Sequence, residues 1–400
     1  MSIGFLKKWV KFLKFNTIGI ICEYNPFHFG HKYHINEARK ISGCKNVVCI
    51  MSGSMVQRGE PAVFDKWSRA KTAIENGADL VIELPACYAL QSADNFAFGA
   101  VSVLDRLGVI DALCFGAETD DISSLEAAAK ITAASPEEYN EAIRERLAMG
   151  EGYPGACEYA LTKLIPDVNK DVFSPNSTLA IAYISSVLKL NSKIKPFCIK
   201  RNNDYHSDKS DDDFQSATSI RKMIANGEDY TAFAPDYSAL RTYNLKNAET
   251  FILGFFRNCL TDSLKTVVGY ENGLENLVIN SAKRACTLEE FFSLCTTKRY
   301  TLHRIKRFCM CAILGIKKNL APVDYVRVLA FNSVGASIIR EIKEKSSLIP
   351  VTKAADYCGG SEAFSIDVAA TDFASLCCDD TSGRTCGKDF LCSPYVLKNI

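Results

Sequence analysis

An α/β fold, a Rossmann-like parallel sheet followed by a mainly α-helical C-terminal domain, is predicted by three observations. Short β-rich apolar runs alternate with helical stretches from residue 17 to about residue 200, the pattern of right-handed βαβ units. Beyond about residue 228 such runs become rare and helical periodicity dominates to about 347. The first run ends in EYNPFHFGHKYH, which holds three of the chain's five histidines.

The strands expected in order are TIGIIC (17 to 22), NVVCIM (46 to 51), LVIEL (80 to 84), ALCFGAE (112 to 118) and KPFCIK (195 to 200). Each is a short apolar run rich in branched or aromatic residues and bounded by turn-forming ones. DKWSRAKTAIENG reads as a helix with a glycine stop, and SPNSTLAIAYISSVLKL as one with Ser174, Pro175 and Asn176 at its start. SATSIRKMIANG has a serine start and a glycine stop, and the acidic loop before it, NNDYHSDKSDDDF, reads as solvated surface. A domain boundary is expected near 225 to 245. The expected division is a basic extension at 1–16, a nucleotidyltransferase-like catalytic domain at 17–230 and the helical domain at 231–400.

The chain's 400 residues are 48% hydrophobic and 23% charged, with a formal net charge of +1, so any nucleic-acid surface must come from local charge. MSIGFLKKWVKFLKFN carries four lysines and no acid. It is too short and too charged to span a bilayer, and packing loosely beside the first strand is favoured over lying on a membrane surface or touching RNA. No transmembrane segment and no obligate protein partner are evident. The 17 cysteines follow no regular framework and no cleavable signal peptide precedes them, so reduced thiols in a cytoplasmic protein are expected. Zinc at Cys358, Cys377, Cys378, Cys386 and Cys392 is disfavoured, because no C-x-x-C knuckle is present.

Ligands of a doubly wound sheet bind at the carboxyl ends of the strands, where HFGH falls. Gly30 lets the backbone approach a ligand, and a helix starting near His31 is expected to offer free N–H groups to phosphate. Imidazoles at His28 and His31 can hydrogen-bond oxygens that gain charge as pyrophosphate leaves. No third ligand of matching spacing supports a metal pair, and no metal-binding residues are expected. In SATSIRK, Ser216, Thr218 and Ser219 offer hydroxyl and N–H donors, while Arg221 or Lys222 can neutralise phosphates.

Together the stretches GIICEYNPFHFGHKYH, MSGSMVQRGEPAVFDKWSRAK, ADLVIELP, FGAE, SPNSTLAIAY, SATSIRK, KRYTLHRIKR and VRVLAFNSVGASII resemble the bacterial tRNA(Met) cytidine acetate ligases, a branch of the H-x-G-H nucleotidyltransferase-like superfamily. The resemblance covers all but the first sixteen residues. It implies that acetate attacks the α-phosphate of ATP, giving acetyl-adenylate and pyrophosphate, and that the N4 amine of the wobble cytidine of elongator tRNA(Met) takes the acetyl group. Magnesium would accompany the ATP.

Carried over residue by residue, the implied ATP site begins with Ile21, Cys22, Glu23, Tyr24 and Asn25. Pro26, Phe27, His28, Phe29 and Gly30 form its turn, and His31, Lys32, Tyr33 and His34 its first helical turn. Gly116, Asn176 and Arg201 complete it, joined by Ser219 and Arg221 from the reading of SATSIRK. The bland alternative for Asn176 is a helix cap, and for Arg201 a surface ion pair. Phe29, Ser54 and Ala374 depart from the family pattern, which bears on substrate fit more than on nucleotide binding.

Residues 281 to 320 hold nine Lys or Arg against two Glu. A helix running from about Arg299 would put Arg299, His303, Lys306 and Arg307 on one face and Leu302, Ile305, Cys309 and Ile313 on the other. That basic stripe is the expected tRNA contact, with Tyr300 placed to stack on an unpaired base. Two rivals remain: a small-molecule adenylyltransferase built on the same core, and a tRNA-binding protein that has lost catalysis.

Overall fold

The computed structural model describes residues 16–165, 169–201 and 215–398. Residues 1–15 of the basic extension and the whole acidic loop lie outside them. Ten strands are named here in chain order: β1 (Thr17–Cys22), β2 (Asn46–Ser52), β3 (Met55–Val56), β4 (Glu60–Pro61), β5 (Leu80–Leu84), β6 (Ala112–Ala117), β7 (Lys195–Lys200), β8 (Tyr325–Phe331), β9 (Ile349–Val351) and β10 (Tyr395–Val396). The main sheet runs β10-β8-β5-β2-β1-β6-β7, with β9 also paired to β8, while β3 and β4 form a separate hairpin.

The five strands expected from the sequence form a continuous parallel run, β5-β2-β1-β6-β7. Thr17 to Cys22 pair with Asn46 to Met51, and Ala112 to Ala117 with Lys195 to Lys200. Since β1 is flanked by β2 on one side and β6 on the other, the strand order reverses there, and the crevice above that point is the natural ligand site.

Alternation along the strands fills both faces. Ile18, Ile20, Val47, Cys49 and Met51 pack one face with the helices Phe29–Ser42 and Lys66–Glu75. Val48, Ile50, Leu80, Ile82, Leu113 and Phe115 face the helices Ala93–Arg106, Ile122–Ala134 and Pro175–Lys189. Gly19 lies under that second layer, where a Cβ would stand 2.9 Å from Leu104 Cδ2.

A third core, around Phe256, Phe291, Ile305, Met310, Tyr325 and Phe364, holds the helices of the C-terminal half. That half is not confined to helices. YVRVLAF, inside the range read as helical to about 347, is β8, and it pairs antiparallel with β5 from Leu80↔Phe331 to Ile82↔Val328. Arg327 at its centre masks it in the sequence.

Buried ion pairs fasten this return. Lys66 Nζ contacts Glu83 Oε1 at 2.7 Å and Asp389 Oδ1 at 2.8 Å, and Arg327 Nη1 also pairs with Asp389. All four residues are at most 3% exposed.

Candidate functional site

The H-x-G-H stretch closes over the end of β1. His28 is the N-cap of the helix Phe29–Ser42, so the helix opens two residues earlier than the sequence suggests. The His28 and His31 rings stack with centroids 3.7 Å apart. Gly30 N–H donates to His28 Nδ1 at 3.1 Å and His28 N–H to His31 Nδ1 at 3.2 Å. With both Nδ1 atoms accepting, the neutral rings carry their proton on Nε2 and can donate from it.

Burial keeps these rings neutral. His28 is pulled down to about 4, first by burial and then by the Arg201 guanidinium. His31 is lowered further by burial, His28 and Arg201. His34, whose Nε2 lies 3.4 Å from Cys114 Sγ, also falls to about 4 through burial and Arg201. The three histidines therefore share one electrostatic environment with Arg201 although about 170 residues separate them.

The expected cradle of free N–H groups is absent. Phe29 N–H bonds Phe233 O, Gly30 N–H bonds His28 Nδ1, and the N–H groups of His31 and Lys32 both reach His28 O. Every amide of that first turn is spent within the chain, leaving anion binding at the turn to side chains.

The second helix start is occupied as well. Glu118 accepts from Asn176 N at 3.2 Å, Asn176 Nδ2 at 2.6 Å, Ser177 N at 2.8 Å and Ser177 Oγ at 2.9 Å. Burial opposes its charge, but these donors hold its carboxyl below the usual range. Asn176 Oδ1 is left 3.5 Å from Arg201 Nη1. Gly116 makes room for Arg201, since a Cβ there would stand 3.1 Å from Arg201 Cγ.

At the third start, Ser219 N–H donates to Ser216 Oγ at 3.1 Å, and Arg221 Nη1 donates to Asn25 O at 2.6 Å. Arg221 thus grips the loop that leads into His28. Tyr24, Asn25, Pro26 and Phe27 are buried, whereas Lys32 and Tyr33 are exposed. Ile21, Cys22, Glu23 and Ser219 are intermediate.

Several supports escape sequence reasoning. Arg69, 1% exposed, donates to Glu23 O at 2.5 Å, Ser52 O at 3.1 Å and Phe64 O at 3.1 Å, and also to Gly53 O. Tyr237 Oη donates to Phe27 O at 2.8 Å. Such long-range contacts to main-chain carbonyls leave no local signature. Glu118 directly follows the FGA of β6, but nothing in the sequence shows which helix it caps.

A cleft of about 1200 Å³ leads away from this site between Asn25 and Arg221 on one wall and Leu288, Phe292 and Lys306 on the other. The basic stripe at its far end differs from expectation. The helix spans Leu302–Ile313, so Arg299 precedes it, and Leu302 is 38% exposed rather than packed. Arg299 and Arg304 both pair with Glu271, and Lys306 with Glu60. Arg307 Nη1 lies 3.4 Å from Gln57 O, His303 is exposed, and Tyr300, 6% exposed, is packing rather than a stacking platform.

Of the tail cysteines, Cys377 and Cys378 are buried while Cys358 and Cys386 are exposed, and all are free. Among the described residues no group of three or more His, Cys, Asp or Glu could hold a metal ion, and no helix is long and apolar enough to cross a membrane.

The family model described as HIGH Nucleotidyl Transferase matches residues 15–389. Relatives named tRNA(Met) cytidine acetate ligase include that of Acetivibrio thermocellus, 36% identical over 94% of this chain and 98% of the relative. That of Caldanaerobacter subterraneus is 38% identical over 90% of this chain and 95% of the relative. The crystal structure of Thermotoga maritima TmcAL bound with alpha-thio ATP superposes with a TM-score of 0.87 at 31% identity, covering 96% of this chain and 100% of that one.

Proposed function

The chain belongs to the HIGH nucleotidyl transferase family and, within it, to the tRNA(Met) cytidine acetate ligases, and on that premise we propose that it activates acetate with ATP and acetylates N4 of the wobble cytidine of elongator tRNA(Met). The observation that carries this is the stacked His28 and His31 pair, held by their Nδ1 atoms at the switch point of the sheet. Their Nε2–H groups donate to phosphate oxygens as pyrophosphate departs, and neutral rings do so without repelling the Arg201 cation beside them.

The ATP site comprises the stretch from Ile21 to His34 with Gly116, Asn176, Arg201, Ser219 and Arg221. Arg201 supplies a positive charge, with Asn176 Oδ1 beside its guanidinium. Arg221 shapes the loop by its bond to Asn25 O. Since no acidic cage is present among the described residues, a magnesium ion arriving with ATP would be carried by phosphate oxygens and water. The RNA would lie along the cleft toward His303, Lys306 and Arg307, with Arg299 at its far edge, and the reaction would take place in the cytoplasm.

The test supplies purified protein with ATP, magnesium, labelled acetate and bacterial tRNA, and follows label into RNA. ATP-dependent incorporation that disappears in His31→Ala is expected. Folded protein that binds tRNA yet incorporates nothing would sink the assignment.

A further inference from the structure

Resting on that proposed reaction, we propose that Glu23 is the carboxylate that receives the attacking amine of the RNA base and takes its proton.

The exocyclic amine of cytosine is a poor nucleophile because its lone pair is drawn into the ring, so its attack on an acyl group needs a base within hydrogen-bond reach. Glu23 stands at the carboxyl end of β1, one residue past Cys22 and five before His28. Its backbone is fixed by buried Arg69, which donates to Glu23 O. Its carboxylate is fixed through one oxygen, since Gln57 N–H donates to Glu23 Oε1 at 2.7 Å. Among the described residues no donor reaches the second oxygen. A rigid carboxylate with one oxygen engaged and one open suits both the reading of a cytosine N4–H and proton abstraction.

Its surroundings suit the role as well. Burial raises the Glu23 carboxyl above its ordinary value, while Arg69, Arg58 and Arg221 pull it down. A carboxylate so placed is a stronger base than a solvated one, and the nearby guanidiniums keep it chargeable. Gln57 belongs to the turn between β3 and β4, whose Gly59 lies against Lys306 and Arg307 of the basic helix. Glu23 therefore sits where the histidine turn and the proposed RNA path meet.

In the step, the amine lone pair forms the new N–C bond to the acetyl carbon. The bond from that carbon to the adenylate oxygen breaks, and its electron pair leaves with AMP. The proton lost by nitrogen goes to the open Glu23 oxygen and thence to water. Nothing is oxidised or reduced.

The test uses Glu23→Gln and Glu23→Asp in the full chain. Glutamine keeps a carbonyl oxygen for Gln57 N–H and turns the open oxygen into an NH2 donor, so both the basicity and the acceptor facing the amine are lost. Two half-reactions are measured: acetate-dependent ATP–pyrophosphate exchange, and single-turnover acetyl transfer to tRNA over about pH 5 to 9. Glu23→Gln is expected to lower the ratio of transfer to exchange by about 10²- to 10⁴-fold, whatever it costs the exchange itself, and to lose the acid limb of the transfer profile. Glu23→Asp should recover part of the rate and the limb. Transfer by Glu23→Gln at the parent rate, or loss of exchange and transfer in equal proportion, would overturn the role of Glu23. No acetate-dependent exchange in the parent protein would instead overturn the proposed reaction.

Discussion

Replacing Lys66 with methionine removes one cation from a fully buried cluster while keeping the length of the side chain. Lys66 Nζ lies 2.7 and 2.8 Å from the two Glu83 oxygens and 2.8 Å from Asp389 Oδ1. At an effective dielectric near 20, a contact of 2.8 Å is worth about 6 kcal/mol before desolvation. Desolvation cancels most of that while the cluster is intact, but it is not recovered when one partner goes. Lys66→Met leaves two carboxylates sharing the single Arg327 cation, so a loss of about 3–5 kcal/mol is expected. For a chain of 400 residues that lowers Tm by about 4–6 °C. Thermal and urea unfolding at pH 7 measure it, and Lys66→Met/Asp389→Asn should lose less than the two single variants summed. A fall below about 1 kcal/mol would show that the carboxylates relax cheaply and that the cluster is not tightly coupled.

Gly59 has φ +76° and would place a Cβ 2.5 Å from Arg307 N, so Gly59→Ala should cost at least about 1–2 kcal/mol from backbone strain; an unchanged urea midpoint would mean that the hairpin pulls free of the helix. Asp367 is pushed up to about 8 by burial and then by Glu83. A raised carboxyl favours the protonated native state, so this contribution is complete below the ordinary carboxylate pKa of 3.8 and is lost as pH climbs to about 8. Asp367→Asn, an amide that does not ionise, should gain stability over the parent progressively across that window, and a constant difference in Tm would contradict it. Glu271→Gln frees Arg299 and Arg304, so tRNA binding should tighten at low salt with a steeper log–log salt slope, whereas an unchanged slope would place these cations off the RNA path.

The parallel run of the sheet was legible because each strand there is a short apolar run between turn residues, and the helix start at Ser216 because serine caps as its type prefers. HFGH was legible as a turn at a strand end, but the fate of its amides was not. Spacing cannot reveal that Phe233 O, some 200 residues on, would take the Phe29 N–H. β8 was missed because a charged residue interrupts its apolar run, and Arg327 is tolerable there only because Glu83 and Asp389 arrive from elsewhere. The acidic partners of the basic stripe were hidden for a similar reason, since Glu271 and Glu60 lie outside the helix.

The antiparallel pairing of β5 with β8 bears on the order in which the molecule can be made. Until residue 331 has emerged from the ribosome, the LVIEL strand lacks its outer neighbour, and an apolar strand with one unpaired edge invites pairing with another chain. Roughly 250 residues are synthesised during that interval, about 12–50 s at bacterial speeds. Fragments that stop near residue 230 should be sticky rather than inert, and the nascent enzyme has most need of a chaperone in the stretch before its last third is complete.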